Sequence, residues 1–211
     1  MNFEVDPDNP GKVYDILTGL VAPRPIALVT TQSETGWLDA APFSAYNYLC
    51  SDPPLLGIGM MDQPGGFDAK TTRQNIKTGG EFVVNVVTED LGRQMNICAT
   101  QFPDDVDKLG AAGLTTTPSA RVKVPRIRQA HAALECVLYM TLEVGHGAIV
   151  LGRVVSMYVE DRFVDPAGPF VRARDLHALG RMNGQDAYVR TEGAFVSIPR
   201  LSHAEWLQGE R

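Results

Sequence analysis

The stretch Arg24-Pro25-Ile26-Ala27-Leu28-Val29-Thr30-Thr31-Gln32-Ser33-Glu34-Thr35-Gly36-Trp37-Leu38-Asp39-Ala40-Ala41-Pro42-Phe43-Ser44-Ala45-Tyr46-Asn47 decides how the rest of the chain is read. Its first eight residues are apolar on both alternating faces, the pattern of a strand buried on both sides. Gln32 to Gly36 is a polar, glycine-bearing turn of hairpin length. Leu38 to Asn47 returns as a strand of small side chains. Pro42 cannot donate to a ladder, which puts it at an edge or a bulge. Small residues beside such an irregularity leave room for a flat group against the backbone, with Ser44 and Asn47 to hold it. The alternative is a close-packed hairpin whose alanines serve only sterics.

Composition bounds the answer. With 211 residues, 44% of them hydrophobic, the chain is long enough to bury a full core as one domain over residues 1–211. A net charge of -6 argues against general nucleic-acid binding and against a polybasic membrane contact. No apolar run approaches the roughly 20 residues that a membrane helix needs. The acidic start Met1 to Asp6 lacks the basic and apolar regions of a signal peptide. Cys50, Cys98 and Cys136 are widely spaced and form no C-x-x-C pair, as expected of reduced thiols in a cytoplasmic protein.

The remaining elements follow in order. A helical turn is expected over Lys12 to Leu20 and a rigid turn over Cys50 to Pro54. Leu55 to Met61 reads as a third strand, whose Gly57-x-Gly59 lacks the third glycine and following helix of a dinucleotide fingerprint. Gln63-Pro64-Gly65-Gly66 is a loop, and Glu81 to Thr88 a fourth strand. Leu91 to Ala99 has helical spacing, and Asp104 to Gly113 reads as a short helix ended by glycine. Leu134 to Val144 and Ala148 to Glu160 are long strands joined by Gly145-His146-Gly147. A polar excursion spans Asp161 to Arg174, then Leu176 to Tyr188, with a last short strand over Ala194 to Ile198. No repeat or linker divides the chain. Many strands joined by turns, with few helices, predict a mainly β protein: an antiparallel β-barrel with helices packed outside.

Phe67 to Gly80 carries the most pointed chemistry. Thr71-x-x-Gln74 matches a capping box, and Gly79-Gly80 supplies a stop. Lys70, Thr71 and Thr72 therefore fall at a helix N-terminus, where backbone N–H groups and the positive dipole end favour an anion. Threonine hydroxyls can donate to phosphate oxygens. The alternative is an ordinary capped surface helix.

These blocks carry a resemblance. Pro23 to Thr31, Ala41 to Asn47 and Asp52-Pro53-Pro54 resemble the opening blocks of the flavin reductase-like family of FMN-binding split barrels. Lys70 to Ile76 followed by Gly80 to Asn85 is similar to that family's next block. Glu135-Cys136, Leu151-Gly152-Arg153-Val154 and Arg181-Met182-Asn183-Gly184 through Tyr188 are similar to later ones. The resemblance spans about residues 12 to 200. It implies a six-stranded antiparallel split barrel, a homodimer, and FMN near the dimer interface. It also implies hydride transfer from NADH or NADPH to flavin, with an oxygenase or another electron acceptor downstream. By motif, Lys70, Thr71 and Thr72 hold the phosphate. Phe43, Ser44, Ala45 and Asn47 line the ring and ribityl chain, Thr30 and Thr31 reach the same groups, and Arg181 and Tyr188 close the site.

Two departures stand out. Thr71 replaces an aspartate that often follows the lysine, and Gly145-His146-Gly147 lacks the acid of a Gly-Asp-His block, which weakens any role of His146 toward nicotinamide. The four histidines show no metal-ligand spacing, and no G-x-S-x-G is present. Glu135 is a candidate to pair with an arginine; Cys136, Met60, Met61 and Met95 read as core. Arg121 to Arg128 reads as a solvated edge strand, or else as a lure for a nucleotide phosphate. The leading expectation is an NAD(P)H-dependent flavin reductase. An FMN electron carrier, a pyridoxamine-phosphate-oxidase-like relative and a cofactor-free binding barrel are the alternatives, since fold does not fix function.

Overall fold

Within the Arg24–Asn47 stretch, Ala27–Gln32 and Leu38–Phe43 pair as the expected antiparallel hairpin, while Arg24–Pro25 and Tyr46–Asn47 join other strands. A computed structural model describes residues 2–6, 8–62, 69–103, 106–168, 170–184, 186–191, 196–198 and 200. Its first elements are helix α1 (Pro10–Leu20) and strands β1 (Arg24–Pro25), β2 (Ala27–Gln32), β3 (Leu38–Phe43), β4 (Tyr46–Ser51) and β5 (Pro54–Met61). Helix α2 (Lys70–Gly79) and β6 (Glu81–Val86) follow, then α3 (Gly92–Cys98) and α4 (Lys108–Ala111). The second half holds β7 (Thr116–Thr117), β8 (Arg126–Ile127), β9 (Ala132–Val144), β10 (Gly147–Val159), β11 (Leu179–Arg181) and β12 (Tyr188–Arg190).

Seven strands form the main sheet in the order β3-β2-β6-β9-β10-β5-β4, every pairing antiparallel. Its two edge strands, β3 and β4, are consecutive in the chain and joined only by Ser44 and Ala45. Three Cα steps span at most about 11 Å, so the sheet must curl until one edge meets the other. Closure brings β3 against β5 across the gap, and the Gly59 N–H extends the β4–β5 ladder into the join by donating to the Ala45 carbonyl at 2.7 Å. This is the antiparallel split barrel that the resemblance implies, with seven strands in the main sheet rather than six. The difference arises because Leu38 to Asn47, read as one strand, breaks at Ser44 and serves both edges. Pro42 lies on the edge strand and pairs with Leu28 in unbroken register, so no bulge is needed there.

Both faces of β2 are buried, as its sequence requires. Ala27 and Val29 face the barrel interior with Phe43, Ile58, Met60, Phe82, Val84, Cys136 and Val150. Leu28 faces outward into a second cluster with Leu91, Met95, Cys98, Leu109 and Ile127, which brings α3 and α4 onto the sheet. Ile76 of α2 packs into the interior cluster, so that helix covers the barrel rather than lying free on the surface. Inside, Gly152 makes way for Phe82: a Cβ on Gly152 would lie 2.3 Å from the Phe82 ring. The β9–β10 hairpin turns through Gly145 and His146 as expected, with Gly145 at φ +53.

Several expected boundaries shift. The Leu91–Ala99 helix begins with a 3-10 turn over Glu89–Leu91. Of the helix expected over Asp104 to Gly113, Lys108–Ala111 is helical, while residues 104 and 105 lie outside the described residues. The loop expected over 63–66, Phe67, and residues 194–195 of the last expected strand also lie outside them; Val196 to Ile198 is not in a strand. Among the described residues no helix is long and apolar enough to cross a membrane.

The start of α2 is fixed by a clamp rather than by a capping box. Its N-cap is Ala69, with no side-chain cap, and Thr71 is the second helical residue. Ala69 is fully buried, and its N–H donates to Asp62 Oδ1 at 3.3 Å. Arg73 makes a two-point contact with the Asp62 carboxylate, at 2.8 and 2.9 Å, and also donates to the Met60 carbonyl at 2.9 Å. One side chain thus ties the first turn of α2 to the end of β5. Hydrogen bonds from Arg73 hold the Asp62 carboxyl below its ordinary range, against the opposing effect of desolvation. At its far end α2 stops at Gly80, φ +70, whose N–H returns to Ile76.

Two outcomes follow from this packing. Gly152→Ala overpacks the interior against Phe82 and lowers stability by about 1–3 kcal/mol in chemical denaturation. Because folding depresses the Asp62 pKa, its contribution is full above the unfolded-state value and fades as pH falls through the folded one. Asp62→Asn therefore removes part of the stability lost below about pH 4, and a Tm-versus-pH series shows a flatter acid limb than the parent.

Candidate functional site

A helix start leaves its first backbone N–H groups without intrahelical acceptors, and the dipole adds positive potential there. In α2 that start forms one end of a surface depression of about 530 Å³ that runs along the helix from Lys70 to Lys77. Lys70, Thr71, Arg73, Gln74 and Lys77 line one side, and Thr141, Glu143 and Val150 of the β9–β10 hairpin line the other. Lys70 and Thr71 are exposed, so the charge and hydroxyl expected to hold an anion are presented to this space.

Three threonines expected at the site are instead committed to the scaffold. Thr72 is buried, and its hydroxyl donates to Asp39 Oδ2 at 3.3 Å. Thr31, on the interior face of β2 with Val29, accepts from Asn75 Nδ2 at 3.1 Å and so ties β2 to α2. Thr30 points to the opposite face with Leu28 and donates to the Pro125 carbonyl at 2.9 Å. The cause is the two-sided burial of β2: no residue in its middle can reach solvent, whatever its polarity.

The bend between the sheet edges behaves differently. The Phe43 side chain belongs to the interior core, which leaves its backbone as the part that could face a ring. Ser44 is half-buried, while Ala45 and Asn47 are exposed. None of these lines the depression. They are joined to it through β5, where Gly59 binds the Ala45 carbonyl and the next residue, Met60, accepts from Arg73. Adjacent residues of one strand therefore hold the bend and the helix start. Tyr46 alternates inward, and burial pushes its hydroxyl up to about 12; the same cause takes the Cys136 thiol to about 12 and Cys98 to about 11. All three stay protonated near neutral pH and offer neither base nor nucleophile.

Arg181 and Tyr188 come together in a small sheet of β1, β11 and β12, with the guanidinium 4.7 Å from the ring centroid. Neither lines the depression. The exposed His146 sits at the β9–β10 tip, and its carbonyl accepts from the Asp62 N–H at 3.3 Å. Glu135 is buried and accepts from the backbone N–H groups of Ala120 and Arg121, at 2.8 and 2.6 Å, rather than from an arginine side chain. The basic stretch is a strapped loop that runs into the two-residue strand β8 at Arg126–Ile127: Arg126 stacks 3.5 Å over Tyr158, and the Lys123 N–H binds Glu81. No cluster of metal-ligating side chains occurs among the described residues.

Sequence reading missed two groups that hold the helix start, Asp62 and Asp39. Asp62 gave no signal. Asp39 gave one: a charged residue inside an otherwise apolar strand must find a partner, and it pairs with Lys108 at 2.8 Å.

Residues 20–175 match the family described as flavin reductase like domain. An uncharacterised Deinococcus radiodurans protein is 38% identical over 198 residues, 92% of this chain and 86% of its own. The crystal structure of the 2-nitrobenzoate 2-nitroreductase NbaA from Pseudomonas fluorescens superposes with a TM-score of 0.81 at 34% identity, covering 93% of this chain and 96% of that one. Component B of nitrilotriacetate monooxygenase from Bacillus cereus gives 0.84 at 27% identity, with 93% and 99% covered. By sequence and by fold, this chain belongs to the flavin reductase-like family.

Proposed function

We propose that the protein binds FMN and is an NAD(P)H-dependent flavin reductase, with the phosphate at Lys70 and Thr71 and the ring near the Ser44–Ala45 bend. One observation carries the reading: β5 ties that bend and the α2 start to the neighbouring residues Gly59 and Met60. The residues present fit the cofactor. The depression falls within the size range of ligand sites, and cations meet a helix start on one side of it. Bound FMN would supply hydride acceptance itself, so the protein's part is binding, orientation and electrostatics. That division agrees with Tyr46, Cys98 and Cys136 being held protonated.

Lys70 neutralises phosphate charge, while Arg73, fixed by Asp62, keeps the turn facing the depression. Ala45 and Asn47 leave the bend open to a flat group. A second copy of the chain would cover the exposed apolar residues Tyr48 and Leu49 of β4 and Tyr139, Met140 and Leu142 of β9, giving a homodimer. The free thiols of Cys50, Cys98 and Cys136 suit a reducing, cytoplasmic setting.

The 34% identity to a nitroreductase favours a second reading, in which the flavin stays bound and passes electrons to a small nitroaromatic. Purified protein is titrated with FMN, and NADH and NADPH oxidation is followed with free FMN or with a nitroaromatic acceptor. Oxidation driven by free FMN supports the reductase. Oxidation that needs the nitroaromatic supports the second reading. A colourless protein that binds no flavin refutes both.

Lys70→Ala weakens FMN binding roughly ten- to hundredfold in fluorescence titration, the loss expected for a hydrogen bond to a charged group, and leaves riboflavin affinity unchanged. Equal loss for both ligands would place the phosphate elsewhere.

A further inference from the structure

Behind the first turn of α2 lies an ion pair between a buried carboxylate and a half-buried lysine that the proposed binding site itself does not use. Asp39, on β3 and 4% exposed, accepts from the Thr72 hydroxyl at 3.3 Å and pairs with Lys108 of α4 at 2.8 Å. Thr72 follows directly on Lys70 and Thr71, so the carboxylate stands on the inner side of the turn whose outer side faces the depression. A negative charge there draws on the same helix-start potential that an incoming anion uses. In a partly desolvated setting its repulsion of a dianion is not screened away. Lys108 cancels it. Of the groups around the pair, Thr72 is neutral and the Cys98 thiol stays protonated, so Lys108 is the balancing charge.

We infer that the Asp39–Lys108 pair sets the charge selectivity of the α2 site, with Lys108 a positioning residue that lets the site accept a phosphorylated ligand over its uncharged parent. The inference rests on the proposed phosphate site at Lys70. It differs from a purely structural role in sign. If the pair only braces α2, removing either partner loosens the turn and weakens binding. If its charges act on the ligand, removing Lys108 unmasks Asp39 and weakens a dianion, whereas removing the Asp39 charge leaves Lys108 and strengthens it.

The test measures FMN and riboflavin affinity at low salt for the parent, Asp39→Asn, Lys108→Met and the double variant. The single amide oxygen of asparagine can still accept from Thr72, and the NH2 then replaces the oxygen that faced Lys108, so the change removes both the charge and the ion pair. Lys108→Met is expected to weaken FMN roughly tenfold, Asp39→Asn to tighten it several-fold, and the double variant to return near the parent, with riboflavin unmoved throughout. Should Lys108→Met fail to fold, Asp39→Asn against the double variant carries the test, because they differ in the Lys108 side chain and FMN must bind tighter where the cation remains. Weaker FMN binding in both single variants, or equal FMN affinity in Asp39→Asn and the double variant, overturns the inference. A parent that binds riboflavin as tightly as FMN overturns the phosphate site as well, and so separates the two failures.

Discussion

The short join between Phe43 and Tyr46 governs the molecule. It connects strands at opposite edges of one sheet, and a tether of that length leaves the sheet no choice but to curl. Curling gives the sheet an inside, which Phe82, Ile58, Met60 and Val150 fill, and an outside, which α3 and α4 cover around Leu28. It also exposes Ala45 beside β5, the strand on which Arg73 fastens α2. The proposed cofactor site is a by-product of how the barrel closes.

The parts legible in the sequence are those where one physical signal dominates. The doubly apolar β2, the glycine-turned β9–β10 hairpin and the helix over Lys70 to Gly79 each follow from local pattern or turn chemistry. The break at Ser44 was not legible, because β3 and β4 run on as one chemically continuous stretch and only the long-range pairing of Tyr46 with Ile58 separates them. The capping box failed for a related reason: Asp62, seven positions before Ala69, satisfies that N–H, and the helix starts two residues ahead of the pattern.

Of the residues in the proposed site, Lys70, Thr71, Ala45 and Asn47 are exposed and Ser44 half-buried, so their side chains remain open to a ligand. Thr30, Thr31 and Thr72 misled for the opposite reason. A threonine's hydroxyl serves a phosphate or a buried carbonyl equally well, and only the fold says which. Buried partners used all three, through Pro125, Asn75 and Asp39. Asp39 itself shows how a scaffold charge hides inside a strand whose pattern reads as apolar.

The way the barrel closes also says where its covalent continuity matters. Gly145 and His146 join strands that are already neighbours in the sheet, so a circular permutation opened there costs the barrel one tight turn. A permutation opened between Ser44 and Ala45 severs the tether itself and leaves β3 and β4 as two unlinked rims with bare ladder groups. The topology therefore divides the chain's connections into replaceable loops and one structural suture, and the suture lies beside the proposed ligand site.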